Sequence, residues 1–239
     1  MDSIIALILF FATTLLPGLA VAQRVYKGNL YSTVAISFGI GTAIVSGELF
    51  FYFFIFRFPA SSWLYIFLFS QALIALIYLW VKRTEILNKE SNADQKKWKL
   101  SEKVVASLIG VVILFSIVQA ATKPAMAYDA MVIWSLRAKI LIRDGHVNFN
   151  PDNYYFLASP YYQAYPWHVS LSEYWLRQLG GGEVVVNFIP LAYFLGIILI
   201  LYGALITHIG RLKTLIIILA FVSLPLIFYH SFNTYADLM

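Results

Sequence analysis

Residues 184–230 read VVVNFIPLAYFLGIILILYGALITHIGRLKTLIIILAFVSLPLIFYH. Only Arg211 and Lys213 carry a fixed charge in this stretch, and they sit together near its middle. An apolar run of about 20 residues matches the ~30 Å hydrocarbon layer of a bilayer, and a helix is the single segment that satisfies its own backbone there. Two such runs joined by a short basic turn predict a pair of membrane-crossing helices, at about 184–207 and 212–230.

The same pattern recurs along the chain. Hydrophobic residues make up 61% of its 239 residues and charged ones 12%, with a mean hydropathy of +0.76. A soluble domain carries about twice that charged fraction. Further apolar blocks predict spans at about 3–22, 31–56, 62–81 and 104–121. The expected fold class is all-α: a polytopic transmembrane helix bundle of about six spans. Met1-Asp2-Ser3 lacks the basic segment that opens a signal peptide, so 3–22 reads as a retained span. There is no cysteine, which leaves no disulfide, zinc-thiolate or thiol chemistry.

The net charge is +5, but its placement argues against a nucleic-acid surface. Seven of the seventeen Lys and Arg residues lie in segment 82–103 alone. Segments 23–30, 82–103 and 208–213 together hold eleven, and the opposite side holds six: Arg57 plus five in 122–183. Short basic loops stay in the cytoplasm. The N-terminus, the large loop 122–183 and residues 231–239 are therefore expected outside a bacterial inner (plasma) membrane. The polar stretch around Ser91-Asn92-Ala93-Asp94 reads as a cytoplasmic linker. It separates an N-terminal membrane region, 1–103, from a second region, 104–239.

Within the outer loop, residues 129–143 contain no Gly or Pro and end at Asp144-Gly145, a helix stop. At 100° per residue, Ala130, Met131, Trp134, Ala138, Leu141 and Ile142 share one apolar arc. Asp129, Ser135, Lys139 and Arg143 share another, interrupted by Val132 and Leu136. This predicts a helix lying in the membrane interface. A second loop helix is expected from Pro166 through Trp167 to Leu179, ended by Gly180-Gly181-Gly182.

Chemistry is concentrated after residue 121. Asp129 lies just beyond the fourth span, where a carboxylate can take or orient an acceptor's proton; the alternative is a helix cap. Asp237 follows the sixth span on the same side, with His230 and Asn233 nearby. Two such carboxylates can hold a divalent cation or share acid and base duties; the alternative is a loop carboxylate with no role. Tyr165, Trp167 and His168 end the densest aromatic stretch of the loop. They suit either an ordinary interfacial belt or flat surfaces for a sugar or lipid head. Lys139, Arg143 and Arg177 can contact a lipid phosphate or simply snorkel. Glu48 lies inside the second span, where a carboxylate is a functional hypothesis by default. Gly39, Gly41 and Gly47 around it equally suggest tight packing and a buried interhelical hydrogen bond.

Tyr128-Asp129-Ala130, then Trp134, then Ala138-Lys139 follow a span directly. Tyr165-Pro166 comes next, then two spans, then Tyr235-Ala236-Asp237-Leu238. This order resembles the polytopic glycosyltransferases of the GT-C class, in particular bacterial relatives of the dolichyl-phosphate-mannose protein mannosyltransferases. The resemblance covers roughly 104–239. It implies inverting transfer of a sugar from a polyprenyl-phosphate donor on the outer face. Asp129 would match the family's first-loop carboxylate, acting as base or acceptor-orienting group. Asp237 would match the acidic position of the next outer loop, tied to metal or acceptor binding in some members. Lys139 and Arg143 are phosphate contacts by chemistry only. Three spans precede the matched region, and the family continues beyond the second motif, so the chain reads as truncated. The partners expected are membrane lipid and a polyprenyl-phosphate-linked sugar, with no nucleic acid. The competing readings are a transporter or flippase of lipid-linked sugars, and a non-catalytic membrane assembly partner.

Overall fold

A computed structural model describes residues 2–26, 28–88, 97–124, 130–147 and 166–233, and every element among them is a helix. The first two are α1 (Asp2–Val25) and α2 (Leu30–Phe50), the latter extended by a π turn, Phe51–Ile55. Then come α3 (Ser62–Asn88) and α4 (Leu100–Thr122). The segment after α4 supplies a π turn, Ala130–Ser135, leading into α5 (Leu136–Asp144), and then α6 (His168–Gln178). A 3-10 turn, Val185–Asn187, opens α7 (Phe188–Ile209), and α8 (Arg211–Val222) and α9 (Pro225–His230) follow.

Five helices are long and apolar enough to cross a membrane: Ser3–Val25, Leu30–Ile55, Ser62–Lys82, Leu100–Thr122 and Val185–Ile209. The protein is thus an all-helical integral membrane protein. The run expected as the sixth span is divided. α8 has 12 residues, about 18 Å at the helix rise. Leu224 is then extended (φ −64°, ψ 123°), as a residue before proline prefers, and Pro225 opens α9.

Two large packed clusters form most of the interior among the described residues. One joins α1, α2, α3, α5 and α6 around Phe10, Leu49, Phe53, Leu68 and Trp175. The other joins α4, α7 and α8 around Leu191, Phe194, Ile198 and Ile218. α1 and α2 touch backbone to backbone. A Cβ on Gly18 would overlap Ser37 O, and one on Gly41 would overlap Thr14 O, so only glycine fits. The tight-packing expectation therefore holds at Gly41; at Gly39 and Gly47 a Cβ would meet nothing. Glu48 accepts a 2.7 Å hydrogen bond from Gln71 of α3, the interhelical bond weighed above.

Polar contacts mark the two ends. At one, Asn29 accepts from the Ser32 N–H at 3.0 Å and donates to the Gly203 carbonyl at 2.8 Å, holding the start of α2 against α7. Nearby, Arg211 reaches Glu102 at 3.3 Å and lies 4.7 Å over the Trp98 ring. At the other end the Ala60 N–H donates to the Gly145 carbonyl at 2.6 Å, fastening the α2–α3 turn to the end of α5.

Candidate functional site at the loop helices

The π turn before α5 sets which side chains face inward. A π turn takes more residues per turn than an α-helix, so it shifts the phase of everything beside it. Ala130, Trp134, Ala138 and Leu141 are buried as their arc predicts, but Met131 and Ile142 are exposed. Ser135 and Arg137 turn inward instead. Gly145 ends α5 at φ 68°, with its N–H on the Leu141 carbonyl, which is the left-handed stop expected from the sequence.

α6 lies within one residue of its expected end and two of its expected start, but it does not lie on a surface. Residues 169–176 are all buried. The Trp175 indole N–H donates to Thr13 Oγ1 at 2.8 Å, about 16 Å along α1 by helix rise. Tyr65 donates to Gln178 Oε1 at 2.5 Å. At the start of the helix, His168 Nδ1 meets Ser46 Oγ at 2.6 Å and Nε2 meets the Tyr193 hydroxyl at 2.8 Å. Tyr193 is hydrogen-bonded in turn to Thr42. Burial holds the His168 imidazole below its ordinary pKa, so it is neutral at pH 7. Each ring nitrogen then has the hydroxyl partner that a neutral ring needs, one donating and one accepting.

Between α5 and α6 runs a charged seam. Glu173 is fully buried and accepts from Ser135 Oγ at 2.8 Å. Arg177 approaches it at 3.4 Å and also grips Glu183 with two nitrogens, each at 3.1 Å. Lys139 closes on Glu183 at 2.9 Å. Glu173 Oε1 has no hydrogen-bond partner among the described residues. Burial pushes the Glu173 carboxyl up to about 7, against the opposing pull of Arg177 and Ser135. Burial also works to raise Glu183, but Arg177 and Lys139 together hold it below its usual range.

Beside this seam the Arg137 guanidinium sits 4.7 Å over the Trp167 ring, and Trp167 packs edge-on against Phe54 at 4.6 Å. Arg137 is buried, and burial lowers its pKa to about 10, so it keeps its charge at pH 7. A buried cation on an aromatic face is held more tightly than one in water.

The residues singled out from the sequence fare differently. Trp167 and His168 stand side by side at the start of α6, one under Arg137 and the other bonded into α2 and α7. Lys139 and Arg177 converge on Glu183. Arg143 is exposed and paired with its neighbour Asp144 at 2.6 Å, away from this cluster. His230 and Asn233 are buried at the end of α9, where Asn233 donates to the Tyr229 carbonyl at 2.9 Å. Asp129, Tyr165 and Asp237 lie outside the described residues; Ala130, next to Asp129, is fully buried. Among the described residues no group of three His, Asp or Glu side chains gathers to hold a metal ion.

Arg137, Ser135 and Glu173 were not singled out from the sequence. The Glu173–Arg177 spacing of four was a visible signal, but the phase shift that brings in Ser135 and Arg137 was not. No family model, curated protein or solved structure matches the chain.

Proposed function

We propose that the protein is a membrane glycosyltransferase that moves a sugar from a polyprenyl-phosphate donor at the extracytoplasmic face. The observation that carries this reading is the Arg137–Trp167 pair, a buried cation on an aromatic plate. Arg137 stands eight residues after Asp129 in the segment that resembles the GT-C first loop. When the bond between the anomeric carbon and the phosphate oxygen breaks, negative charge grows on the leaving phosphate. A guanidinium suits it in two-pronged geometry, and more strongly away from bulk water. The indole face offers the apolar side of a sugar a flat surface. The acceptor hydroxyl attacks the anomeric carbon from the opposite side, inverting it, and its proton passes to the Asp129 carboxylate.

The test is transfer from a labelled polyprenyl-phosphate sugar in membranes holding the whole protein. Asp129→Asn is expected to cut transfer by about 100-fold or more while inserting normally. Undiminished transfer by that variant overturns the assignment.

A flippase for lipid-linked sugars is the competing reading, favoured by the Ser46–His168–Tyr193–Thr42 chain inside the bundle. It predicts movement of the labelled lipid between leaflets with the sugar–phosphate bond intact.

A further inference from the structure

The segment 130–142 carries two different inward faces. At 100° per residue its apolar arc holds Ala130, Met131, Trp134, Ala138, Leu141 and Ile142, the side that an unbroken α-helix would bury. The structure buries Ala130, Trp134, Ala138 and Leu141, but leaves Met131 47% and Ile142 36% exposed and takes in Ser135 and Arg137 instead. Four residues are therefore common to both faces. The difference lies in the other four: Met131 and Ile142 inside, or Ser135 and Arg137 inside.

Burial alone favours the first arrangement, because an inward hydroxyl and an inward guanidinium each cost free energy unless they find partners. The partners are on α6 and at its start. Ser135, the last residue of the π turn, donates to Glu173 at 2.8 Å, and Arg137 lies 4.7 Å over the Trp167 ring. A turn closed from i to i+5 holds one residue more than an α turn, so keeping or losing it rotates α5 by up to about 100° against the residues before it.

Glu173 is a fixed point for that choice. It is fully buried, Arg177 approaches it at 3.4 Å, and two residues on Trp175 bonds to Thr13 of α1. Lys139 also reaches across, to Glu183 at 2.9 Å, but both side chains are about half exposed. Such a pair adapts to a rotation rather than setting it.

We propose that Glu173 is a positioning residue: its bond to Ser135 holds segment 130–135 in the π register and so turns Arg137 onto Trp167. Without that acceptor the segment relaxes to a continuous α-helix, Met131 and Ile142 turn inward, and Arg137 leaves the Trp167 ring. The register rests on the packing; what Arg137 serves there rests on the transferase reading.

The chain has no cysteine, so a nitroxide can be attached at one introduced site at a time. Met131→Cys and Ile142→Cys are labelled separately in the whole protein in lipid nanodiscs, and their electron paramagnetic resonance line shapes are recorded. Both labels are expected to be mobile in the native background. Adding Glu173→Ala, or the milder Ser135→Ala, should immobilise both. Glu173→Gln keeps an acceptor oxygen for Ser135 and should keep the mobile line shapes. Should Glu173→Ala fail to fold, Ser135→Ala decides alone. Line shapes unmoved by the folded alanine variants, or moved as far by Glu173→Gln as by Glu173→Ala, overturn the inference.

Transfer from a labelled polyprenyl-phosphate sugar gives the second readout. Glu173→Ala and Arg137→Ala should each slow it about 100-fold, and together no further than either alone, since both remove the same placed cation. Losses that multiply would mean that Glu173 does not act through Arg137. If the line shapes change as expected but Asp129→Asn transfers normally, the register stands and the transferase reading fails. If Asp129→Asn is inactive and the line shapes stay mobile throughout, the reverse holds.

Discussion

α4 and α6 are opposites in both composition and placement. α4 is 23 residues of nearly unbroken hydrophobicity, yet Leu100, Val104, Leu108, Val111, Leu114, Phe115 and Val118 are each 46–78% exposed. α6 carries a histidine, two serines, a glutamate and an arginine in 11 residues, and its whole middle is buried. The more apolar of the two is the less enclosed, and the more polar one the more. In water that ordering would be unstable. In a bilayer it is expected, because lipid tails solvate leucine as well as a protein interior does but satisfy no polar group. What draws α6 inward is its hydrogen bonds and shape, not its hydrophobicity.

The sharpest way to break this contrast is to truncate one large side chain in each helix. Trp175→Ala removes a fully buried ring and its bond to Thr13, and should cost about 3–5 kcal/mol. Leu114→Ala trims a residue 61% exposed and should fall within about 0.5 kcal/mol of the native protein. Denaturant titration in detergent micelles measures both, and equal losses would contradict the placement of α6.

A second test uses acidity. The Glu173 carboxyl, raised from 4.5 to about 7, binds its proton more firmly in the folded protein than in the unfolded chain. Between pH 4.5 and 7 the folded state therefore holds more protons, and stability from this group falls as pH rises through that window. The contribution is complete below pH 4.5 and gone above about 7, a swing of roughly 3 kcal/mol. Glu173→Gln removes the titrating carboxyl and should flatten this slope. A native melting temperature that is level from pH 4.5 to 7 would show that Glu173 does not titrate there.

A smaller effect than those of Trp175 and Glu173 is expected at the rim. Gly145→Ala forces a side chain into φ 68° and should cost about 1 kcal/mol, with the α5 end loosened from the Ala60 amide.

The spans were legible because the membrane imposes length and apolarity together, and five of the six expected runs hold continuous helices. The sixth run is divided at Pro225, a break that was in plain view in the sequence. The loop helices were legible at their stops, Gly145 and Gly180, because positive φ leaves a glycine in the sequence. Their faces were less so. A π turn has no sequence signature, and one at 130–135 was enough to turn Ser135 and Arg137 inward and Met131 outward. Trp167 and His168 stood out by composition alone. Glu173 did not, because its meaning comes from Ser135, 38 residues away in the chain.

Ribosomal synthesis delivers α1, α2 and α3 well before α6. Until α6 is made, Thr13, Ser46 and Tyr65 lack the side chains they bond in the folded protein. α6 is too short and too polar to be inserted as a span of its own. It therefore joins the bundle by docking against helices on both sides of it in the chain, as tertiary structure rather than as a span.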